Sequence, residues 1–226
     1  SIKKLNDNYT QLSNDHLGMF DNYEPNTIVV WRGLYKFEKY ISESNREEAL
    51  IKQLDEITSE YLGIVFHRFM ERSDSKLRIR INNREISSFN PFPFEKHNDL
   101  RSMGERQIQF GKDVLKMEGC ILPADSSKDD TMGVWRTPNK GLMDLEGLYI
   151  YRGDRIIYFG GWNGLIKKSA NLKLARMKID VGNINDDKIQ LNVAKSKIVV
   201  PFELTKGVLR YIAELKQEAI REYFNR

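Results

Sequence analysis

Cysteine, histidine and long apolar runs are all scarce in this chain of 226 residues, and each scarcity excludes a class of function. Cys120 is the only cysteine, so no internal disulfide can form. Its place in the apolar run 117–122 predicts a buried, inert thiol in a reducing compartment. His16, His67 and His97 are too far apart for metal-ligand spacing, so no metal site is expected, and His67 is expected on a helix face. No Ser-His-Asp or Cys-His order for nucleophilic catalysis can be argued from these residues. No apolar run approaches the ~20 residues of a membrane span, and Ser1-Ile-Lys-Lys-Leu5 lacks signal-peptide architecture. A membrane is therefore not an expected partner, and the expected location is the cytoplasm or, in a eukaryote, the nucleus. Internal repeats and low-complexity tracts are missing too.

Charge is not lacking. Charged residues make up 30% of the chain, with a formal balance of +4 and a pI near 9.0, which permits an anionic partner without requiring one. The length suffices for one large or two small domains. After a polar lead-in over 1–26, Thr27-Ile-Val-Val-Trp31 reads as a strand. Over 47–70, Leu50, Leu54, Ile57, Tyr61, Ile64, Val65 and Phe69 recur at helical spacing, predicting one long amphipathic helix packed on a sheet. Strands are predicted at 76–82, 85–88 and 114–122, with Pro91 and Pro93 excluding helix from the connector 89–94. The polar stretch 123–145 reads as a mobile loop. Gly153-Asp154 between two apolar arms predicts a hairpin over 147–159 with a type II′ turn. Further strands are predicted at 174–181, 189–193 and 197–200, and a closing helix at 203–224. The class is α+β: a mixed sheet covered on one side by helices.

Most candidate chemistries fail on the residues themselves. Gly160-Gly-Trp-Asn-Gly-Leu-Ile-Lys-Lys-Ser169 has the glycines of a phosphate loop, but Lys167 stands where the pattern needs Gly before Lys168-Ser169. Asp129-Asp130 and Asp186-Asp187 lie in polar runs and read as solvated turns, not as a general acid and base. A basic set stands out: Arg152, Arg155, Lys167, Lys168, Lys173, Arg176 and Lys178, interleaved with Tyr149, Tyr151, Tyr158 and Trp162. On one face such a set can hold a nucleic-acid backbone, which makes DNA a candidate partner; the alternative is a solvated sheet edge guarded by lysines. Two further cations, Lys195 and Lys197, interrupt the apolar segments of Leu191-Asn-Val-Ala-Lys-Ser-Lys-Ile-Val-Val-Pro201. A cation placed there at a strand edge can reach a phosphate.

Several short motifs, in order, carry a resemblance. Thr27-Ile-Val-Val-Trp-Arg-Gly-Leu34 resembles the strand and turn that leave the ATP-binding domain in the GHKL superfamily of DNA gyrase B, ninety-kilodalton heat-shock chaperones, histidine kinases and MutL. Asn26 stands where that pattern has Gly. The hairpin over 148–158, with Arg155 after its turn, is similar to the hairpin of MutL and MORC transducer domains. Gly160-Gly-Trp162 and Leu172-Lys-Leu-Ala-Arg176 look closest to bacterial MORC-like ATP-binding proteins. Asn192-Val-Ala-Lys-Ser-Lys197 resembles the MutL segment Asn-Val-x-Pro-x-Lys, whose lysine reaches the γ-phosphate of ATP; Ala194 and Lys195 depart from it, where MutL has His and Pro.

The resemblance implies the second half of an ATPase. Residues 27–201 would form a transducer domain with the ribosomal-protein-like fold, 1–26 the tail of a missing ATP-binding domain, and 202–226 a closing helix. The family's catalytic Glu and Asn helix and its Asp-x-Gly-x-Gly turn do not precede Thr27 here. ATP and Mg would thus be held by the parent protein's N-terminal domain, and no cofactor or catalysis is expected of this fragment alone. Lys197, preferred over Lys195, would contact the γ-phosphate. The implied role is to couple ATP binding and hydrolysis to homodimerisation or to DNA transactions such as repair, restriction or phage defence. The alternatives are a stand-alone nucleic-acid- or protein-binding module without ATPase activity, and a chaperone-like member of the superfamily.

Overall fold

The computed structural model describes residues 42–81, 84–110, 113–126, 128, 133–181 and 202–225. The strands expected at 27–31, 189–193 and 197–200 lie outside them. A helical run opens the described chain: α1 (Arg46–Ile51), a π-helical stretch Lys52–Thr58, α2 (Ser59–Val65) and α3 (His67–Met70). The expected single helix is therefore interrupted twice. In the π stretch, the hydroxyls of Thr58 and Ser59 donate to the carbonyls of Gln53 at 2.7 Å and Leu54 at 3.1 Å, a side-chain competition with the backbone ladder. At Phe66, φ −107° and ψ 12° separate α2 from α3. The α2 backbone lies hard against the connector that follows: a Cβ on Gly63 would sit 2.4 Å from the Ser87 carbonyl oxygen, and the Phe89 amide donates to the Gly63 carbonyl at 3.1 Å.

Two short strands, β1 (Arg80–Ile81) and β2 (Arg84–Glu85), pair antiparallel. The main sheet comprises β3 (Arg101–Phe110), β4 (Asp113–Ile121), β5 (Gly147–Arg152), β6 (Arg155–Phe159) and β7 (Ala175–Val181), in the spatial order β3-β4-β7-β5-β6. Neighbours are antiparallel except β5 and β7, which are parallel. The expected α+β class and mixed sheet are observed. The sequence pattern does not predict β3, which is polar because it is a sheet edge. A bulge between Ser102 and Glu105, with Gly104 at φ 83°, also breaks its alternation and lets Met103 and Ile108 both pack on the core. The β5–β6 hairpin forms as expected, but Gly153 and Asp154 have φ of 51° and 65°. Left-handed geometry at both central residues belongs to a type I′ turn, not II′.

Part of the stretch expected to be a mobile loop is anchored. Trp135 is buried, Glu60 accepts from the Thr137 hydroxyl at 2.9 Å and the Asn139 amide at 2.8 Å, and Leu142–Leu145 forms the short helix α4. Helix α5 (Phe202–Phe224) closes one face of the sheet. Its Val208, Tyr211, Ile212, Leu215 and Ala219 are buried, at the 3-and-4 spacing of one helix face. Leu215 and Tyr211 stand over Gly119, where a Cβ would meet them at 3.0 and 3.2 Å. The Tyr211 hydroxyl accepts from the Gly119 amide at 2.8 Å and donates to the Gly104 carbonyl, tying α5 to β4 and to the bulge of β3.

Strand alternation and register place Cys120, Tyr149, Tyr151, Arg176 and Lys178 on the opposite face. That face is covered as well, by α3, by the connector around Phe92 and by the loop around Trp135. One-sided covering is thus corrected: two fully buried tyrosines on the second face require a second lid. Burial pushes the Cys120 thiol up to about 12, the inert state expected of it. Tyr211→Phe is expected to strand the Gly119 amide and cost about 1–3 kcal/mol, read as a lower urea midpoint at unchanged m-value.

Candidate functional site

The break at Phe66 turns His67 and Arg68 onto the sheet. The Arg68 guanidinium carbon lies 3.6 Å from the centre of the Tyr151 ring. Its two terminal nitrogens donate to the two carboxylate oxygens of Asp180 near the end of β7, and it lies 3.5 Å from Asp154 in the β5–β6 turn. Arg72, two residues past the end of α3, donates to Asp154 at 2.7 Å. A planar guanidinium can stack and fork in this way, whereas an ammonium cannot. Burial opposes the charge of Arg68, but the Asp180 hydrogen bond and the neighbouring Tyr151 and Asp154 outweigh it and raise its pKa.

His67 is buried, with Nε2 2.9 Å from the Tyr151 hydroxyl. Burial lowers the His67 pKa and raises that of Tyr151, so the pair joins α3 to β5 by a neutral hydrogen bond. His67 therefore lies on the inward side of its helix. Glu71 accepts from Asn90 at 2.9 Å and Ser88 at 3.2 Å, with Lys96 at 3.9 Å. Burial alone would raise its pKa, but His67, Lys96 and Asn90 hold the carboxyl below the usual range.

A polar cleft of about 490 Å³ opens between Arg68, Arg72, Asn90, Phe94, Lys96 and Lys178. Its cations already face carboxylates: Lys178 pairs with Glu118 at 2.7 Å, and the others with Glu71, Asp154 and Asp180. The arrangement is a satisfied clamp joining a helix, a hairpin and a strand end, not an open anion site. Among the described residues, no group of three or more His, Cys, Asp or Glu could hold a metal ion.

The basic set read from the sequence does not converge. Arg155, Lys167 and Lys168 are exposed, and Lys168 donates to the Met143 carbonyl at 2.8 Å. Arg152 is half-buried at the hairpin end, opposite Arg155. Lys173 lies 5.5 Å from the Tyr223 ring of α5. Arg176 is fully buried, donating to the carbonyls of Pro91 and Trp135, and Lys178 is taken up by Glu118. Tyr149, Tyr151 and Trp162 are buried and Tyr158 is half-buried, so the interleaved aromatics form core, not a stacking surface. The single basic face is corrected accordingly. Alternation sends Arg176 and Lys178 inward under the second lid, away from the loop lysines. Lys195 and Lys197 lie outside the described residues.

Arg68, Glu71, Arg72, Asp180 and Glu146 are not singled out by the sequence pattern, and Asp154 is singled out only as a turn residue. The available signal was charge within apolar surroundings: Arg176, Lys178 and Asp180 alternate with Met177, Ile179 and Val181 in a strand with neighbours on both sides, where charges need partners. Glu146 is fully buried, and its carboxylate accepts from the Trp162 indole at 3.2 Å. Burial raises its pKa against the opposing effects of Trp162 and Lys168. The folded protein thus holds this proton more tightly than the unfolded chain does. Its contribution to stability is full below the ordinary glutamate pKa and is lost as pH rises through the raised folded value. Glu146→Gln is expected to raise the melting temperature at pH 7–8, with the gain vanishing in a series carried below the ordinary glutamate pKa.

Comparison of the chain with protein-family models, curated proteins and solved structures returns no match.

Proposed function

We propose that this chain is the transducer part of a GHKL-type ATPase. Lys197, with Lys195 as the second candidate, would meet the γ-phosphate of ATP held with Mg by a preceding domain of the same protein. The observation that carries the reading is what bounds their segment. Residues 182–201 leave β7 one residue past Asp180, which is held by Arg68, and lead into α5, which packs across β4 through Tyr211. Both ends therefore belong to one core. A phosphate bound within the segment acts on the strand and the helix together, and through Arg68 on α3 and the hairpin.

A lysine ammonium is a compact charge suited to a terminal phosphate whose negative charge grows as the β-γ bond breaks. ADP lacks the group that the lysine meets, so ATP and ADP stabilise different arrangements of the two domains. Homodimerisation in the ATP state is the output this supports. Of the basic set, the exposed Arg155, Lys167 and Lys168 are the candidates for a DNA contact.

In the parent protein, Lys197→Ala is expected to lower ATP turnover about 10²-fold and to abolish ATP-driven dimerisation, with ATP binding retained. Turnover and dimerisation unchanged in both Lys197→Ala and Lys195→Ala would sink the reading. The coding sequence upstream gives a second check: a Glu-x-x-x-Asn helix and an Asp-x-Gly-x-Gly turn are expected there, and an initiator methionine just before Ser1 contradicts them.

A further inference from the structure

The net charge of the chain is concentrated in one segment. Residues 72–84 hold five basic side chains, Arg72, Lys76, Arg78, Arg80 and Arg84, against Asp74 alone. Their balance of +4 equals that of the whole chain, so the other residues are neutral as a group. Arg72 is committed to Asp154, and Arg80 stands opposite Glu85 in the β1–β2 register. Lys76, Arg78 and Arg84 are exposed and form no ion pair among the described residues. Backbone contacts hold the segment in place. Ser75, with φ 49°, turns the chain after α3. The Leu77 amide donates to the Phe69 carbonyl at 3.0 Å, and the Ile86 amide donates to the Ile79 carbonyl at 3.0 Å, which extends the β1–β2 pairing by one rung. Ile86 is buried, so the ribbon rests on the face that carries Ile79, Ile81 and Ile86. By alternation, Arg78 and Arg80 lie on the other face.

We propose that the arm formed by residues 76–81 and 84–86 binds the phosphate backbone of duplex DNA. Gathering like charges costs free energy in the free protein, and neutralisation by phosphates offsets it. Of its four cations, Arg78, Arg80 and Arg84 carry a planar fork that matches phosphate oxygens. Shape selects the duplex. The major groove of B-form DNA admits a two-stranded ribbon, whereas that of A-form RNA is too narrow for side chains to read. A single strand is held by open aromatic rings on which bases stack, but beside the arm Phe69 lies under Arg72 and Phe66 under Arg155. This contact does not depend on the ATPase reading, and it is separate from Lys167 and Lys168.

Fluorescence anisotropy of the full 226-residue chain with a labelled DNA duplex of mixed sequence, without ATP, tests it. Over about 50–200 mM salt, log affinity is expected to fall with log salt at a slope near −3, about 0.9 for each of three or four phosphates. The triple variant Lys76→Gln, Arg78→Gln, Arg84→Gln is expected to bind about tenfold or more weakly at the low-salt end, with a slope shallower by about 2–3. Arg78→Gln alone is expected to reduce the slope by about 1, and it decides the matter if the triple variant loses its folded circular-dichroism signal. Arg155→Gln with Lys167→Gln and Lys168→Gln is expected to leave affinity within about twofold, because these cations lie off the arm. No binding by the wild type at the low-salt end overturns the inference, as does unchanged affinity in both arm variants or a larger loss in the Arg155 variant. Equal or tighter binding of an RNA duplex or of single-stranded DNA assigns the arm to that nucleic acid and overturns it equally.

Discussion

Arg68 is where three separate pieces of chain are obliged to agree. Its guanidinium needs a flat ring beneath it and a carboxylate in its plane, and the fold supplies Tyr151 from β5 and Asp180 from β7 at once. Those residues are opposite one another in the parallel β5–β7 register, so the guanidinium spans one rung of the sheet. Exposed ion pairs contribute up to about 1 kcal/mol, and breaking a buried one costs about 3–5 kcal/mol. With side chains 25% and 34% exposed, Arg68 and Asp180 fall between these limits. The worth of the contact lies as much in geometry as in energy. It fixes where α3, the Asp154 turn and the end of β7 sit relative to one another.

A second arginine does comparable work in a different chemical setting. Arg176 is fully buried, and its terminal nitrogens donate to two backbone carbonyls, one in the Pro-rich connector and one in the Trp135 loop. A buried charge is costly without hydrogen bonds, so the two segments that carry these carbonyls are held down over the sheet. Pro91 suits the task because it has a carbonyl to offer and no amide of its own to satisfy. The Glu60 contacts to Thr137 and Asn139 pin the same loop to α2. The parts of this lid that lack regular structure are thus held by polar contacts, beside the apolar packing of Phe92 on Tyr149.

This explains which parts of the molecule could be read in advance. The closing helix and the β5–β6 hairpin declare themselves through local periodicity and turn chemistry, which short windows of sequence contain. The edge strand β3 does not, because an edge strand can be polar and because the bulge at Gly104 puts Met103 and Ile108 out of phase. The inward arginines are hidden for another reason. Arg176 and Lys178 look like surface cations when only their neighbours in sequence are considered, and their carbonyl and carboxylate partners come from remote positions. A basic set close in sequence need not be close in space, because a strand sends alternate residues to opposite faces.

The same alternation bears on how a signal would travel. β7 has β4 on one side and β5 on the other, so it reaches both halves of the sheet. Its even-numbered residues engage Arg68, Glu118 and the two lid carbonyls, while Met177 and Ile179 join the core on the face that α5 covers. A displacement at the Val181 end cannot be absorbed locally, since close-packed side chains on one face and directional hydrogen bonds on the other both resist it. The chain that leaves this strand and the chain that enters α5 are therefore anchored in the same core, one through the clamp and one through Tyr211.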